Sequence, residues 1–205
     1  MKTLIAVPCL DTVHTMFFQS MEALRRPAGT SVSVSSSSLV YDARNSLADL
    51  AVRGGYDRVC WLDSDMRFQP DLLERFHADL DAGMEMVCGL FFSRRAPVHP
   101  CVYHSCALQD GVPTATPFDV IGDQPFRVQA CGFAGVMMSG ALLRRVAETY
   151  GAPFSPGFGF GEDLSFCLRA GELGANIYCD PRIKMDHIGY AVINEDTWLA
   201  MKGGA

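Results

Sequence analysis

Apolar and polar positions along the chain follow two periods in turn. "TLIAVP" (3–8) is a continuous apolar run that reads as a buried strand, and 14–26 reads as a helix ending before Pro27. "TSVSVSS" (30–36) alternates with period two, as a second strand does. From Asp42, apolar residues recur at Ala43, Leu47, Leu50 and Ala51, predicting a helix closed by Gly54 and Gly55. "YDRVCWLD" (56–63) is a third strand. Pro70 opens a helix carrying Leu72, Leu73, Phe76 and Leu80, and "MEMVCGLFF" (84–92) is a further strand. Three rounds of strand and helix predict an α/β fold with an open, mostly parallel twisted sheet flanked by helices. Ligands of such sheets bind beyond the carboxyl ends of the strands.

After residue 92 the rhythm changes. Residues 107–126 hold Pro113, Pro117 and Pro125, predicting a long loop or an irregular hairpin. "RVQACGFAGVMMSG" (127–140) is strand-like, 141–149 is helical, and "GAPFSPGFGFG" (151–161) is a loop. A helix from Glu162 to about Gly171 and a strand at 176–180 follow. From Tyr190 on, the pattern is poorly defined. Neither an internal repeat nor a linker interrupts the chain, so residues 1–205 read as one domain.

Composition narrows the function. Hydrophobic residues make up 49% of the 205 and charged residues 20%, as in ordinary globular proteins. The net charge is −6 and no Lys/Arg run exceeds two residues, which argues against nucleic acid as an electrostatic partner. "MKTLIAVPCL" lacks the length and cleavage site of a signal peptide, and no apolar stretch approaches a membrane span. A cytoplasmic location is expected. The eight cysteines lack CxxC spacing and read as reduced, mostly buried small hydrophobes. In "HPCVYHSC", alternation places His99 and Cys101 on one strand face and His104 and Cys106 on the other. Only a bend would gather these four around zinc.

Candidate chemistry begins at "CWLDSDMRF". Asp63 and Asp65, one residue apart at a strand end, leave an extended chain on the same side. Two adjacent carboxylates repel and call for a cation, a proton or donors, and a hard divalent ion suits them. The competing reading is a pair of solvated loop aspartates. Glu162 and Asp163 open a predicted helix, where they either cap it or supply a general base. His187, in "KMDHIG", would shift a metal preference from Mg²⁺ toward Mn²⁺ if it joined the aspartates.

Taken in order, "YDARNSLADLAVRGGYDRVCWLDSDMRFQPDLLERF", "CGFAGVMMSGALLRRV", "GFGEDLSFCLRAGELGANIYCD" and "DHIG" resemble a GT-A fold glycosyltransferase, close to the family 2 enzymes. The resemblance spans roughly residues 3–189 and rests on motif order and spacing. It implies a GT-A (Rossmann-like) sheet with a small antiparallel acceptor-side portion. The nucleotide-binding half would cover about 1–92, the acceptor side about 93–189, and a tail 190–205. It implies that Asp65 and His187 hold Mn²⁺ (or Mg²⁺) on the diphosphate of a nucleotide sugar, a UDP-sugar being the favoured donor, with Asp63 contacting the ribose or the metal through water. Arg44 and Asn45 would lie near the nucleotide, and Pro8, Ser38 and Ser64 around its base and ribose. Gly132, Phe133 and Ala134 would line the sugar or acceptor side. Asp163 would deprotonate the acceptor hydroxyl, with Glu162 as its substitute, and loop 151–161 would fold over the donor. The acceptor, a glycan, lipid or protein, is not named by the resemblance.

Departures accompany the likeness. The first strand runs into "PCLDT" instead of the usual "PxYN", and serines replace the Asp that normally follows the second strand. At 205 residues the chain is shorter than relatives that carry a longer acceptor domain, and a small acceptor, a partner protein or oligomerisation would make up the difference. Family 2 resemblance favours inversion, although the late histidine also occurs in retaining GT-A enzymes. Two enzymatic rivals are weaker. In haloacid-dehalogenase phosphatases the aspartate pair follows the first strand, and a sugar-phosphate nucleotidyltransferase needs a Gly-rich basic loop that "PCLDTVHT" lacks. A non-catalytic nucleotide-sugar or glycan binder on the same fold is the alternative from another class.

Overall fold

The computed structural model of the protein describes residues 1–94, 96–189 and 192–202. In chain order the first half comprises β1 (Thr3–Cys9), α1 (Thr15–Ala23), β2 (Thr30–Ser36), α2 (Val40–Arg53), β3 (Arg58–Leu62), β4 (Met66–Arg67), α3 (Leu72–Asp81) and β5 (Met86–Leu90). The second half comprises β6 (Val102–Gln109), β7 (Val112–Pro117), β8 (Phe126–Val128), β9 (Ala130–Cys131), β10 (Gly135–Ser139), α4 (Gly140–Tyr150), α5 (Glu162–Glu172), β11 (Ile177–Lys184), β12 (Asp186–Ile188), β13 (Val192–Ile193) and α6 (Glu195–Lys202).

Seven strands form a central sheet in the order β2-β1-β3-β10-β5-β11-β8. Of these, β2, β1, β3, β5 and β11 share one direction, while β10 and β8 oppose it. The α/β architecture read from the sequence is thus present. Successive strand residues face opposite sides, and the chain uses both. Leu4, Ala6, Val59, Trp61 and Cys88 pack with α2, α4 and α5 on one face. Ile5, Val7, Cys60, Leu62 and Val87 pack with α1 and α3 on the other. Burial on both faces is why these strands read as unbroken apolar runs.

Two small antiparallel sheets, β7-β6-β9 and β13-β12-β4, complete the fold. The first is the irregular hairpin expected within 107–126: β6 and β7 pair with a register shift between Tyr103 and Ser105, and Pro113 and Pro117 are tolerated on β7 because it pairs only with β6. The single strand expected over 127–140 is three short ones, with the turn at Gly132–Ala134 between β9 and β10. The strand expected to end at 180 continues to Lys184 after a register shift, which carries the chain on to β12.

The expected tail is partly structured. In α6, Trp198 is buried against Phe92 with ring centroids 5.2 Å apart. Residues 190, 191 and 203–205 of that tail lie outside the described residues.

Candidate functional site

The carboxyl ends of β1, β2, β3 and β5 converge at one edge of the sheet, and Asp63 and Asp65 follow β3 there. Pro8, Ser38, Asp63, Ser64 and Asp65 line a cavity of about 340 Å³ together with Cys9, Leu10 and Arg94. The loop before α1 lies alongside, since Ser64 and Asp65 also line a second cavity of about 350 Å³ with Thr12 to Thr15. The serines after β2 tie the edge together. Ser36 Oγ donates to the Leu10 carbonyl, and Ser37 N donates to the Cys9 carbonyl at 3.2 Å.

His187 reaches this edge through strand pairing. β4 follows Asp65 directly and pairs with β12, placing His187 opposite Met66, and Ile188 N donates to the Asp65 carbonyl at 2.8 Å. His187 Nε2 then lies 3.6 Å from Asp65 Oδ2, while Nδ1 lies 2.9 Å from the Phe92 carbonyl. A carbonyl only accepts, so Nδ1 carries the proton of that bond and Nε2 is the nitrogen turned toward Asp65.

Arg94 completes the surroundings of Asp65, with its guanidinium on Oδ2. Burial pushes the Asp65 carboxyl up, but the hydrogen bond and charge of His187, with Arg94, outweigh it and hold the group below the usual aspartate range. Arg94 was not singled out from the sequence. Its signal was positional, because "FFSRR" leaves β5 at the edge where ligands bind.

Asp63 turns the other way. Its Oδ1 accepts from Arg44 Nη2 at 2.9 Å, and burial raises its carboxyl despite that cation. Arg44 is 3% exposed and stands 3.4 Å from both Glu162 Oε1 and the Phe133 carbonyl, with Phe133 and Phe154 beneath it. It therefore fastens β3 to the start of α5 and presents no free fork to a phosphate. Asn45 likewise serves the fold, accepting from Phe154 N at 2.9 Å.

Behind Asp63, Phe133 and Ala134 are buried, Phe133 among the rings of Trp61, Phe154 and Phe166. Their side chains belong to the core and do not line a sugar site, because the turn feeding β10 points inward here. The Ala134 carbonyl accepts from Asp63 N at 3.2 Å, so this segment positions the aspartate. Gly132 is equally enclosed, and a Cβ there would meet the Phe91 ring at 3.1 Å.

At the start of α5, Glu162 is engaged by Arg44 and Asp163 is left as the freer carboxylate. Asp163 Oδ1 accepts from Leu164 N at 2.7 Å, a partial capping role. Burial, reinforced by the Glu162 charge, pushes the Asp163 carboxyl up to about 6. The loop before it is anchored: Phe154 is fully buried and stacks on Phe166 at 4.7 Å, and Ser165 Oγ accepts from Gly157 N at 2.9 Å. A hinged lid over all of 151–161 is not what this packing allows.

Among the described residues, no three His, Cys, Asp or Glu side chains close on a common metal position. Asp65 and His187 come together, but Asp63 is drawn to Arg44. In the other cluster His99 meets the Tyr103 ring edge-to-face and His104 the Phe118 ring likewise, while Cys106 enters the core. Nor is any helix among the described residues long and apolar enough to cross a membrane.

No family model and no curated protein match the chain. Among solved structures it is similar to the crystal structure of A197 from STIV. The two share 18% identity over 92% of this chain and 86% of that one, with a TM-score of 0.66. At that identity the likeness is one of fold, so function has to be argued from the site.

Proposed function

We propose that the chain is a metal-dependent glycosyltransferase of the GT-A type, moving a sugar from a nucleoside-diphosphate sugar, with a UDP-sugar favoured, to an acceptor hydroxyl. The observation that carries the reading is the meeting of Asp65 and His187, 3.6 Å apart, at the carboxyl edge of the parallel sheet. Residues 122 positions apart in sequence are joined there by the short β4–β12 pair. The donor set fits a divalent ion: one carboxylate, and one imidazole whose Nδ1 is already engaged. A nitrogen ligand favours Mn²⁺ over Mg²⁺. Asp65 and His187 would hold the ion, and Asp63 stands beside them, paired with Arg44.

Such an ion supplies Lewis-acid stabilisation of the departing diphosphate. The chain's own residues do the rest. Pro8, Ser38 and Ser64 shape the cavity for the nucleoside, and Arg94, paired with Asp65 here, would exchange that carboxylate for a phosphate when the donor binds. Asp163, raised to about 6, is ionised at neutral pH yet basic enough to take the proton of the attacking hydroxyl at its free carboxylate oxygen. Attack from the face opposite the leaving group gives inversion.

The non-catalytic binder is separated from the transferase by Asp163→Asn. A transferase variant keeps nucleotide-sugar affinity but loses about 10²–10⁴-fold in sugar release or transfer. A parent protein that binds a nucleotide sugar and never releases the diphosphate, in the presence of varied acceptors or water, would make the chain a binder.

A further inference from the structure

A cavity of about 810 Å³ lies outside the edge just discussed. It opens between the β6–β7 hairpin, the 157–160 turn and α5. Leu108, Pro113, Phe158, Phe160 and Leu168 give it an apolar wall. Leu108 is 65% exposed and Phe158 46%, an unusual display of large apolar surface around one hollow. Phe158 is held at φ +56, a backbone region that bulky residues avoid, and the Arg169 guanidinium stands 5.9 Å from its ring. Gly159 makes the closure feasible, since a Cβ there would come within 2.2 Å of Pro113.

The polar groups in the wall are already engaged inside the protein. Gln129 Oε1 accepts from Cys106 N, Glu172 accepts from the Tyr150 hydroxyl at 2.6 Å, and the Cys167 thiol donates to the Cys131 carbonyl. A ligand therefore meets an apolar surface. The volume lies within the roughly 300–1,000 Å³ typical of small-molecule sites, and the hollow is concave where protein partners usually dock on flatter ground.

Position connects this hollow to the candidate base. Asp163, Cys167 and Gly171 are spaced four residues apart, so they follow one face of α5, and Cys167 and Gly171 line the cavity. Burial lifts the Cys106 thiol on the facing wall to about 11, and Asp163 is near enough for its charge to add to that lift. We infer that this cavity is a binding site for the apolar portion, alkyl or aromatic, of an amphiphilic acceptor whose hydroxyl is presented at Asp163. The acceptor role rests on the proposed transferase function. The apolar site itself does not.

Gly171 provides the test. It lies in α5, and a Cβ added there meets nothing within 4 Å, so Gly171→Leu fills the cavity while improving helix propensity. Calorimetric titration of the full chain with octyl β-glucoside below its micelle concentration, against glucose as control, reads the site. The expected result is binding of the alkyl glucoside alone, with a negative heat-capacity change, weakened at least tenfold in Gly171→Leu at undiminished Tm. Mn²⁺–UDP binding, measured in the same samples, should not respond to Gly171→Leu. No alkyl binding, or equal binding by parent and variant, overturns the assignment. Self-association that is lost in Gly171→Leu without alkyl binding would assign the hollow to a second copy of the chain and also overturn it. Alkyl binding without any nucleotide binding would leave the cavity standing and remove the transferase reading.

Discussion

Asp65 is held below the usual aspartate range because His187 and Arg94 outweigh its burial, whereas burial and Glu162 lift Asp163 to about 6. Two carboxylates pushed in opposite directions suit two tasks, one permanently charged and one able to exchange a proton. Asp65→Ala should abolish Mn²⁺-dependent nucleotide binding with the fold retained, since Asp65 lies in the turn after β3. Titrations that match the parent would sink the metal assignment. His187→Ala should weaken Mn²⁺ more than Mg²⁺, and equal losses would exclude nitrogen ligation. Because the Asp163 carboxyl must be ionised to act as base, transfer should rise with pH along a limb near 6 that disappears in Asp163→Asn; a limb that persists in the variant belongs to another group. Arg44 belongs to stability. Its removal leaves Asp63 and Glu162 facing each other without a cation, so Arg44→Ala should cost about 3–5 kcal/mol in chemical denaturation. A loss well under 1 kcal/mol would return Arg44 to the role of a free phosphate ligand.

At the scale of elements, the core strands were legible because burial on both faces writes unbroken apolar runs. Helices α2 and α3 were legible from their apolar spacing. What escaped was short or locally ambiguous. Two- and three-residue strands such as β4 and β12 carry no period, yet their pairing brings His187 to Asp65. The histidine could be suspected from sequence, but its route could not. Arg44 and Asn45 were expected near the nucleotide from the family resemblance, and the helix pattern alone does not reveal which way they face. The structure turns both toward the body of the protein, Arg44 to Asp63 and Asn45 to the Phe154 backbone. Loop 151–161 read as a lid from its glycines and prolines, whereas Phe154 packs it onto Trp61 and Phe166. Phe154→Ala should therefore cost about 3–5 kcal/mol of stability. A surface lid would lose almost nothing, so urea denaturation distinguishes the two.

Across the whole molecule, buried carboxylates shape the response to pH. Burial and the neighbouring Asp180 raise the Asp79 carboxyl, and its Oδ2 has no hydrogen-bond partner among the described residues. A carboxyl raised on folding binds more protons in the folded state between its unfolded and folded pKa values. Its contribution to stability is full below about pH 4 and is lost as pH rises through about 6. Asp79→Asn should thus raise the Tm by a few degrees at about pH 7.5 and by almost nothing at about pH 4. A gain that does not depend on pH would point to packing instead. Asp65 works in the opposite sense, adding stability above the ordinary carboxylate range that is lost as the pH falls through its lowered pKa.

The edge formed by Asp63, Asp65 and His187 is proposed to bind a nucleoside diphosphate with the help of a divalent ion. Thermal-shift titration of the parent and Asp65→Ala with UDP, GDP, CDP and TDP, each with and without Mn²⁺, tests it most directly. A ligand at 100 times its Kd adds about 2.7 kcal/mol to the folded state, a shift of several degrees. The expected result is a rise for one nucleotide, UDP first, that requires Mn²⁺ and is absent in Asp65→Ala. A folded parent that responds to none of the four, or a response indifferent to both Mn²⁺ and Asp65, would contradict it.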